Sequence, residues 1–292
     1  MLVLARRDLA FLILINLIWG LNYIPSKIGV SQVPPLMFTA LRFTCLALLL
    51  APFLRWHHGK MGSLVVAAVF AGGLHFSLLL VGLGMADTVS TVAIASQLGV
   101  PFATLMSIVV LGEVVRWRRW LGILLSFTGV MVMGLDPAVF RFWQGLACVV
   151  LSALFGSLGL MAIKRLDEVR PLELQAWFAV ISAPLVLIFS LIFESGQAAA
   201  IHSAAWTAWA SLAFNFLGAS LLAHTGYFYL IHRYPVTSVS PLTVLSPLFG
   251  VFFGVTLLGD QLTTRIIAGG AMTLAGVLII SLREKQIADT GS

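Results

Sequence analysis

The chain has 292 residues, of which 60% are hydrophobic and 10% charged, against roughly a quarter charged in an ordinary soluble domain. Its mean hydropathy is +1.04. This composition excludes a soluble enzyme and defines an all-α integral membrane protein set in a lipid bilayer. The formal charge of +6 does not point to nucleic acid, because the basic residues sort by membrane side instead of forming a patch.

A spanning helix needs about 20 apolar residues. Apolar runs bounded by charge or by Pro and Gly fall at 9–27, 35–54, 62–85, 89–111, 120–135, 144–163, 172–193, 206–231, 236–258 and 265–282, which predicts ten spans. Ten spans use about 200 residues and leave no room for a soluble catalytic domain. The opening stretch, MLVLARRDLAFLILINLIWG, is basic and then apolar like a signal peptide. It lacks a small-x-small cleavage site and is read as the first retained span.

In span 1, Trp19, Asn22 and Tyr23 precede Pro25 and share one helix face at i, i+3 and i+4. An amide flanked by aromatic rings suits an amphipathic metabolite, so all three are candidate binding residues. Lys27 reads as an interface anchor. Arg42, about seven residues inside span 2, reads as snorkelling outward or tying helix ends together, with reception of a substrate carboxylate as the alternative. His57 and His58 read as surface residues of a basic loop. His75 in span 3 and His224 in span 8 are the titratable candidates for a cavity, since neutral imidazole is tolerable in a low-dielectric interior. The plainer reading is an imidazole bonded between helices.

Span 4 carries Ser90, Thr91, Ser96, Gln97 and Pro101, and span 9 carries Thr237, Ser238, Ser240, Pro241, Ser246 and Pro247. Proline frees a carbonyl that a cavity or a neighbouring hydroxyl can satisfy, so both spans are predicted to be irregular and cavity-lining. Gln97, Ser240 and Ser246, together with Tyr227 in span 8, complete the candidate substrate-binding set. Hydroxyls bonded back to their own helix are the alternative. Cys45 and Cys148 lie in apolar runs and read as small buried side chains. All eleven acids fall at span ends, in loops or in tails, so no carboxylate is visible for proton or sodium coupling. No catalytic residue, metal site or cofactor is expected.

Alternate assignment of the loops places thirteen Lys and Arg on the N-terminal side and three, Lys27, Arg141 and Arg265, on the other. This bias predicts that both termini are cytoplasmic. The phrase LGEVVRWRRWLG at 111–122 returns as LGDQLTTRIIAG at 258–269, 147 residues on. The same offset pairs Ser126 with Thr273, Gly129 with Gly276, and Val89-Ser90 with Val236-Thr237. The chain therefore reads as one five-span unit written twice, at 1–137 and 138–292. Five is odd, so the second copy crosses the membrane in the opposite sense. Glu113 then lies at a cytoplasmic helix end and Asp260 at the equivalent point outside, where the arginines have been dropped. Gly122, Ser126 and Gly129 and their mates Gly269, Thr273 and Gly276 run at i, i+4 and i+7 and read as packing residues.

The stretches NLIWGLNYIPSKIG (16–29), ALRFTCLALLL (40–50), LGEVVRWRRWLGILLSFTGVMVM and LGDQLTTRIIAGGAMTLAGVLII resemble the EamA family of the drug/metabolite transporter superfamily. The resemblance covers nearly the whole chain and is closest to bacterial aromatic and broad-specificity amino acid exporters. It implies ten transmembrane helices, two inverted five-helix repeats around a central cavity, and export of amino acids or other small metabolites across the bacterial inner membrane. The chain departs from the pattern at Asp260, where Glu is usual, and at Phe155, where the first copy has Trp19.

The function expected is that of a secondary transporter carrying a small-molecule substrate by alternating access; the lack of buried acids points to facilitated diffusion or to coupling through a group other than carboxylate, His75 being a candidate to bind a carboxylate or carry a proton. A nucleotide-sugar or phosphate-ester exchanger would need several buried cations. An intramembrane lipid-modifying enzyme would need general acids and bases that are not visible.

Overall fold

The computed structural model describes residues 5–111, 116–166, 168–234 and 239–290. Among them every regular element is helical. The principal helices are α1 (Arg6–Val30), α2 (Pro35–Leu50), α3 (Met61–Met85), α4 (Val89–Ala95, continued through Ser96–Leu98 into Gly99–Leu111), α5 (Trp117–Gly134), α6 (Trp143–Ile163), α7 (Pro171–Phe193), α8 (Trp206–Ile231), α9 (Leu242–Leu258) and α10 (Thr264–Thr290). Eight of these, all but α5 and α9, are long and apolar enough to cross a membrane. α9 is a shorter apolar helix, and α5 carries Arg118 and Arg119 in its first turn. Large apolar side chains such as Leu48, Met131, Leu191 and Phe193 stand exposed on the outer faces, where lipid replaces water as their neighbour.

The helix ends are closed by distant side chains, because the terminal N–H and C=O groups of a helix have no partner within it. Glu194 accepts from the backbone N–H groups of Leu36 and Met37 at the start of α2, where Pro35 stands in the first turn. The Lys27 ammonium donates to the carbonyls of Leu83, Gly84 and Ala86 at the end of α3. It is thus a helix cap as well as an interface residue. Asp260, held after the left-handed Gly259, accepts from the Ser90 N–H and hydroxyl at the start of α4, each at 2.7 Å. Glu113, Thr237 and Ser238 lie outside the described residues.

Four of the helices are irregular. α3 contains a π-helical segment, Ala68–Leu74, and α8 contains another, Phe214–His224. α4 and α9 each contain a tight 3₁₀ segment, Ser96–Leu98 and Ser240–Val244, in the two spans where proline and hydroxyls predict irregularity. Such departures leave carbonyls off the regular ladder, and side chains take them up. The Ser182 hydroxyl donates to Ala68 O, and the Ser220 hydroxyl to Asn215 O five residues back.

α5 packs along α10, α2 along α7, α3 along α6, α1 along α8 and α9, and α4 on α6 and α9. The α5–α10 seam is built from the small residues that the sequence marks for packing. A Cβ on Gly129 would lie within 2.4 Å of Gly269 O, and one on Gly276 within 2.5 Å of Gly122 O. The backbones can meet this closely only where no side chain intervenes. At the crossing, Ser126 Oγ donates to Thr273 O and Thr273 Oγ1 donates to Ser126 O, each at 3.3 Å.

Candidate functional site

The helices enclose a cavity of about 560 Å³. Its deep end is formed by Arg42 and Phe76 with His75, Ser220 and His224, and it extends to Arg119 and the exposed Lys164 at the far helix ends. Its walls are mostly apolar, including Phe178, Tyr227 and Phe228. Among the described residues no carboxylate lines it.

Arg42 decides the character of this space. It is 1% exposed, so the snorkelling expectation is overturned. α2 packs against α7 and α8, and the side chain turns inward between them instead of along the lipid face. Its Nε and Nη2 donate to the Ser220 hydroxyl at 3.0 and 2.8 Å, and its guanidinium lies 4.3 Å from the centre of the Phe76 ring. A cation over an aromatic face is attracted by the ring quadrupole, and the flat guanidinium also stacks well. No ion pair to Arg42 is present among the described residues.

Phe76 joins the two histidines. Its ring meets His75 edge-on at 4.7 Å and His224 at 5.8 Å. His75 Nδ1 lies 2.9 Å from Ser152 O and 3.0 Å from Ser152 Oγ on α6. His75 therefore both bonds between helices and lines the cavity. Gly156 makes this position possible, since a Cβ there would stand 2.9 Å from His75 Nδ1. His224 Nδ1 lies against Ala219 O inside the π-helical segment and 3.3 Å from Trp19 Nε1; it donates to the carbonyl in one tautomer or accepts from the indole N–H in the other.

Of the residues predicted from sequence, His75, His224 and Tyr227 line the cavity, while Trp19, Asn22, Tyr23, Gln97 and Ser246 lie outside its lining. Trp19 stands directly behind, packed on His224 at 5.1 Å and on Tyr227 at 5.3 Å. The Tyr23 hydroxyl pairs with Ser96 Oγ at 2.8 Å, and Ser96 is itself a lining residue. Asn22 donates to Asn215 Oδ1 in the α1–α8 interface. Ser246 is buried in α9, where its carbonyl faces Gly20 of α1. The Ser240 side chain lies outside the described residues. His57, read as a surface residue, sits 3.3 Å from the Glu173 carboxylate and is half-buried.

Sequence reasoning did not single out Phe76, Gln175 or Ser220. One signal was available: Ser220, His224 and Tyr227 fall at i, i+4 and i+7 on one face of α8. Phe76 and Gln175 carried none, since a phenylalanine in an apolar run and a glutamine near a span end read as packing and interface.

A multi-pass membrane bundle with a cavity open toward one end, walled by rings and lined by the buried Arg42 and Arg119, defines a transport protein more readily than a catalyst. Residues 7–135 and 143–282 match the EamA-like transporter family, and the chain belongs to that family. It is similar to "Uncharacterized transporter YoaV" of Bacillus subtilis (strain 168), at 25% identity over 92% of this chain and 94% of that protein. It is also similar to "Probable amino-acid metabolite efflux pump" of Escherichia coli (strain K12), at 24% identity over 99% and 100%, and to "Uncharacterized inner membrane transporter YedA" of the same organism, at 25% identity over 90% and 87%. One crystal structure matches 96% of this chain and 98% of its own with a TM-score of 0.65 at 18% identity, a likeness of fold alone. The chain is thus a membrane transporter rather than an enzyme.

Proposed function

We propose that the protein is a secondary carrier that exports amino acids or similarly small amphipathic metabolites across a bacterial inner membrane by alternating access. It does so through two inverted five-helix repeats, 1–137 and 138–292, with both termini in the cytoplasm. The observation that carries this reading is the packing pattern. Exchanging α1 with α6, α2 with α7, α3 with α8, α4 with α9 and α5 with α10 turns the principal helix pairs into one another. The reciprocal Ser126–Thr273 bonds mark where the local twofold axis would pass. Two repeats related in this way can exchange conformations and present one central site to either side. The two separate family matches and the relatives' names support the same view.

The candidate site set of Trp19, Asn22, Tyr23, His75, Gln97, His224, Tyr227, Ser240 and Ser246 divides naturally under this reading. His75, His224 and Tyr227 meet the substrate, while Trp19 and Tyr23 hold the residues that do. That no carboxylate lines the cavity among the described residues supports facilitated diffusion, with His75 and His224 as the groups through which any proton coupling would run.

The test is counterflow in proteoliposomes preloaded with unlabelled amino acids, following entry of labelled threonine, methionine or phenylalanine. Uptake without any gradient is expected. Uptake that requires a pH gradient would remove the uniport part of the reading, and no uptake of any amino acid would remove the substrate class.

A further inference from the structure

Arg42 is a buried cation with no carboxylate partner among the described residues, an arrangement that proteins retain only at a cost. A guanidinium has five N–H donors; the two bonds to Ser220 Oγ leave three with no protein acceptor among the described residues. The group is held in place from several sides. Phe76 lies against its face at 4.3 Å. Ser220 is fixed by its own bond to Asn215 O, and its carbonyl accepts from Gln175 Nε2 at 3.3 Å. An apolar counterpart is Phe178, which lies seven residues past Pro171 in α7, as Arg42 lies seven past Pro35 in α2, and both line the space. The lining therefore combines a preorganised cation with aromatic walls.

Resting on the carrier reading above, we propose that Arg42 docks the carboxylate of the transported molecule, so that the substrate class is small monocarboxylates with an apolar or aromatic body. The fork of a guanidinium matches a carboxylate in plane and spacing. Since no acid lines the cavity among the described residues, the α-amino group of an amino acid is tolerated without being read. Carboxylate recognition, and not amine recognition, sets specificity.

The experiment is ligand binding to the full chain in detergent, by calorimetry, with 3-phenylpropionate, phenylalanine and phenylalaninamide as probes. The two carboxylates are expected to bind within about threefold of each other, and the amide about tenfold more weakly, the value of one charge-assisted hydrogen bond. In Arg42→Gln this discrimination collapses. Ser220→Ala, which keeps the charge but removes the hydroxyl that holds it, weakens the carboxylates and leaves the amide unchanged; it decides the matter if Arg42→Gln does not fold. Equal binding of amide and carboxylates to the unaltered protein, failure of all three probes to bind, or discrimination that survives in Arg42→Gln would overturn the assignment. Counterflow separates the two readings: carboxylate-selective binding without transport would sink the carrier and keep the subsite, whereas transport without selectivity would do the reverse.

Discussion

The two ends of the helix bundle differ although the sequence repeats. At the end where α1 and α3 terminate, α1 packs against both α3 and α4. Lys27 caps α3 through three carbonyls, and Asp260 ties α9 to the start of α4. At the opposite end the corresponding helices, α6 against α8 and α9, make no comparably close approach among the described residues, and the cavity reaches the surface there beside Lys164. The chemistry available at the two ends is similar, a lysine at the C-terminal end of α1 and another just beyond α6. What differs is which set of contacts is made. Under the proposed duplication the halves would supply two seals, of which the contacts at Lys27 and Asp260 are one.

That comparison breaks first at the seam both ends share. Gly129→Leu forces a side chain into the backbone of α10 at 2.4 Å and is expected to abolish folded protein, read by size exclusion after detergent extraction. Gly129→Ala should cost about 1–3 kcal/mol of stability, as overpacking of a close contact does. Gly99→Ala, where a Cβ meets nothing within 4 Å, should stay within about 0.5 kcal/mol. Equal effects at the two glycines would show that the seam is not tightly packed.

The next effect falls on the cavity. His75→Ala removes a lining side chain and its bond to Ser152, and is expected to lower counterflow about tenfold with folded protein unchanged, in the range of one lost charge-assisted contact. Normal transport would take His75 out of the site.

At the sealed end, Lys27→Met leaves the α3 carbonyls uncapped. It is expected to cost about 1–2 kcal/mol and to make a cysteine placed at the buried Leu83 more reactive to an impermeant thiol reagent. Unchanged reactivity would mean that the seal does not depend on this lysine.

The smallest effect is expected at the Asp136 carboxylate, outside the spans. Its acidity is raised first by the Thr263 hydroxyl, with further help from the Ala138 N–H and from Arg265. Because its pKa is lower in the folded protein, it contributes stability that is present above the unfolded value of about 3.9 and is lost as pH falls through the folded value. Asp136→Asn should therefore lower thermal stability most near neutrality, where the ionised carboxylate contributes, and converge on the unaltered protein below about pH 4, which makes the acid limb of its melting profile shallower. A melting profile with the same acid limb in both proteins would exclude this role.

The helical class and eight of the ten expected spans were readable from the sequence because lipid imposes one requirement, a long apolar helix, that is written locally. The seam was readable for a similar reason: Gly122, Ser126 and Gly129 recur with their mates at a constant offset, and small residues at i, i+4 and i+7 have few uses other than close packing. The irregularity of α4 and α9 could be foreseen from proline and hydroxyls, whereas the π-helical segments of α3 and α8 have no comparable local mark.

The site was less legible. Trp19, Asn22 and Tyr23 were correctly placed on one face, but that face meets α8 and α4 through Asn215, His224 and Ser96 instead of forming the cavity wall. Arg42 looked like a residue reaching for the membrane surface because its distance from the helix end allows it. Its sequence determined that a cation lies within a span, and only the packing of α2 against α7 and α8 decided that it points inward, onto Phe76 and Ser220. Hydrophobicity and periodicity act along one helix and are carried by neighbouring residues. The direction of a long side chain depends on which helices stand beside it, and those lie 178 residues away in the case of Ser220.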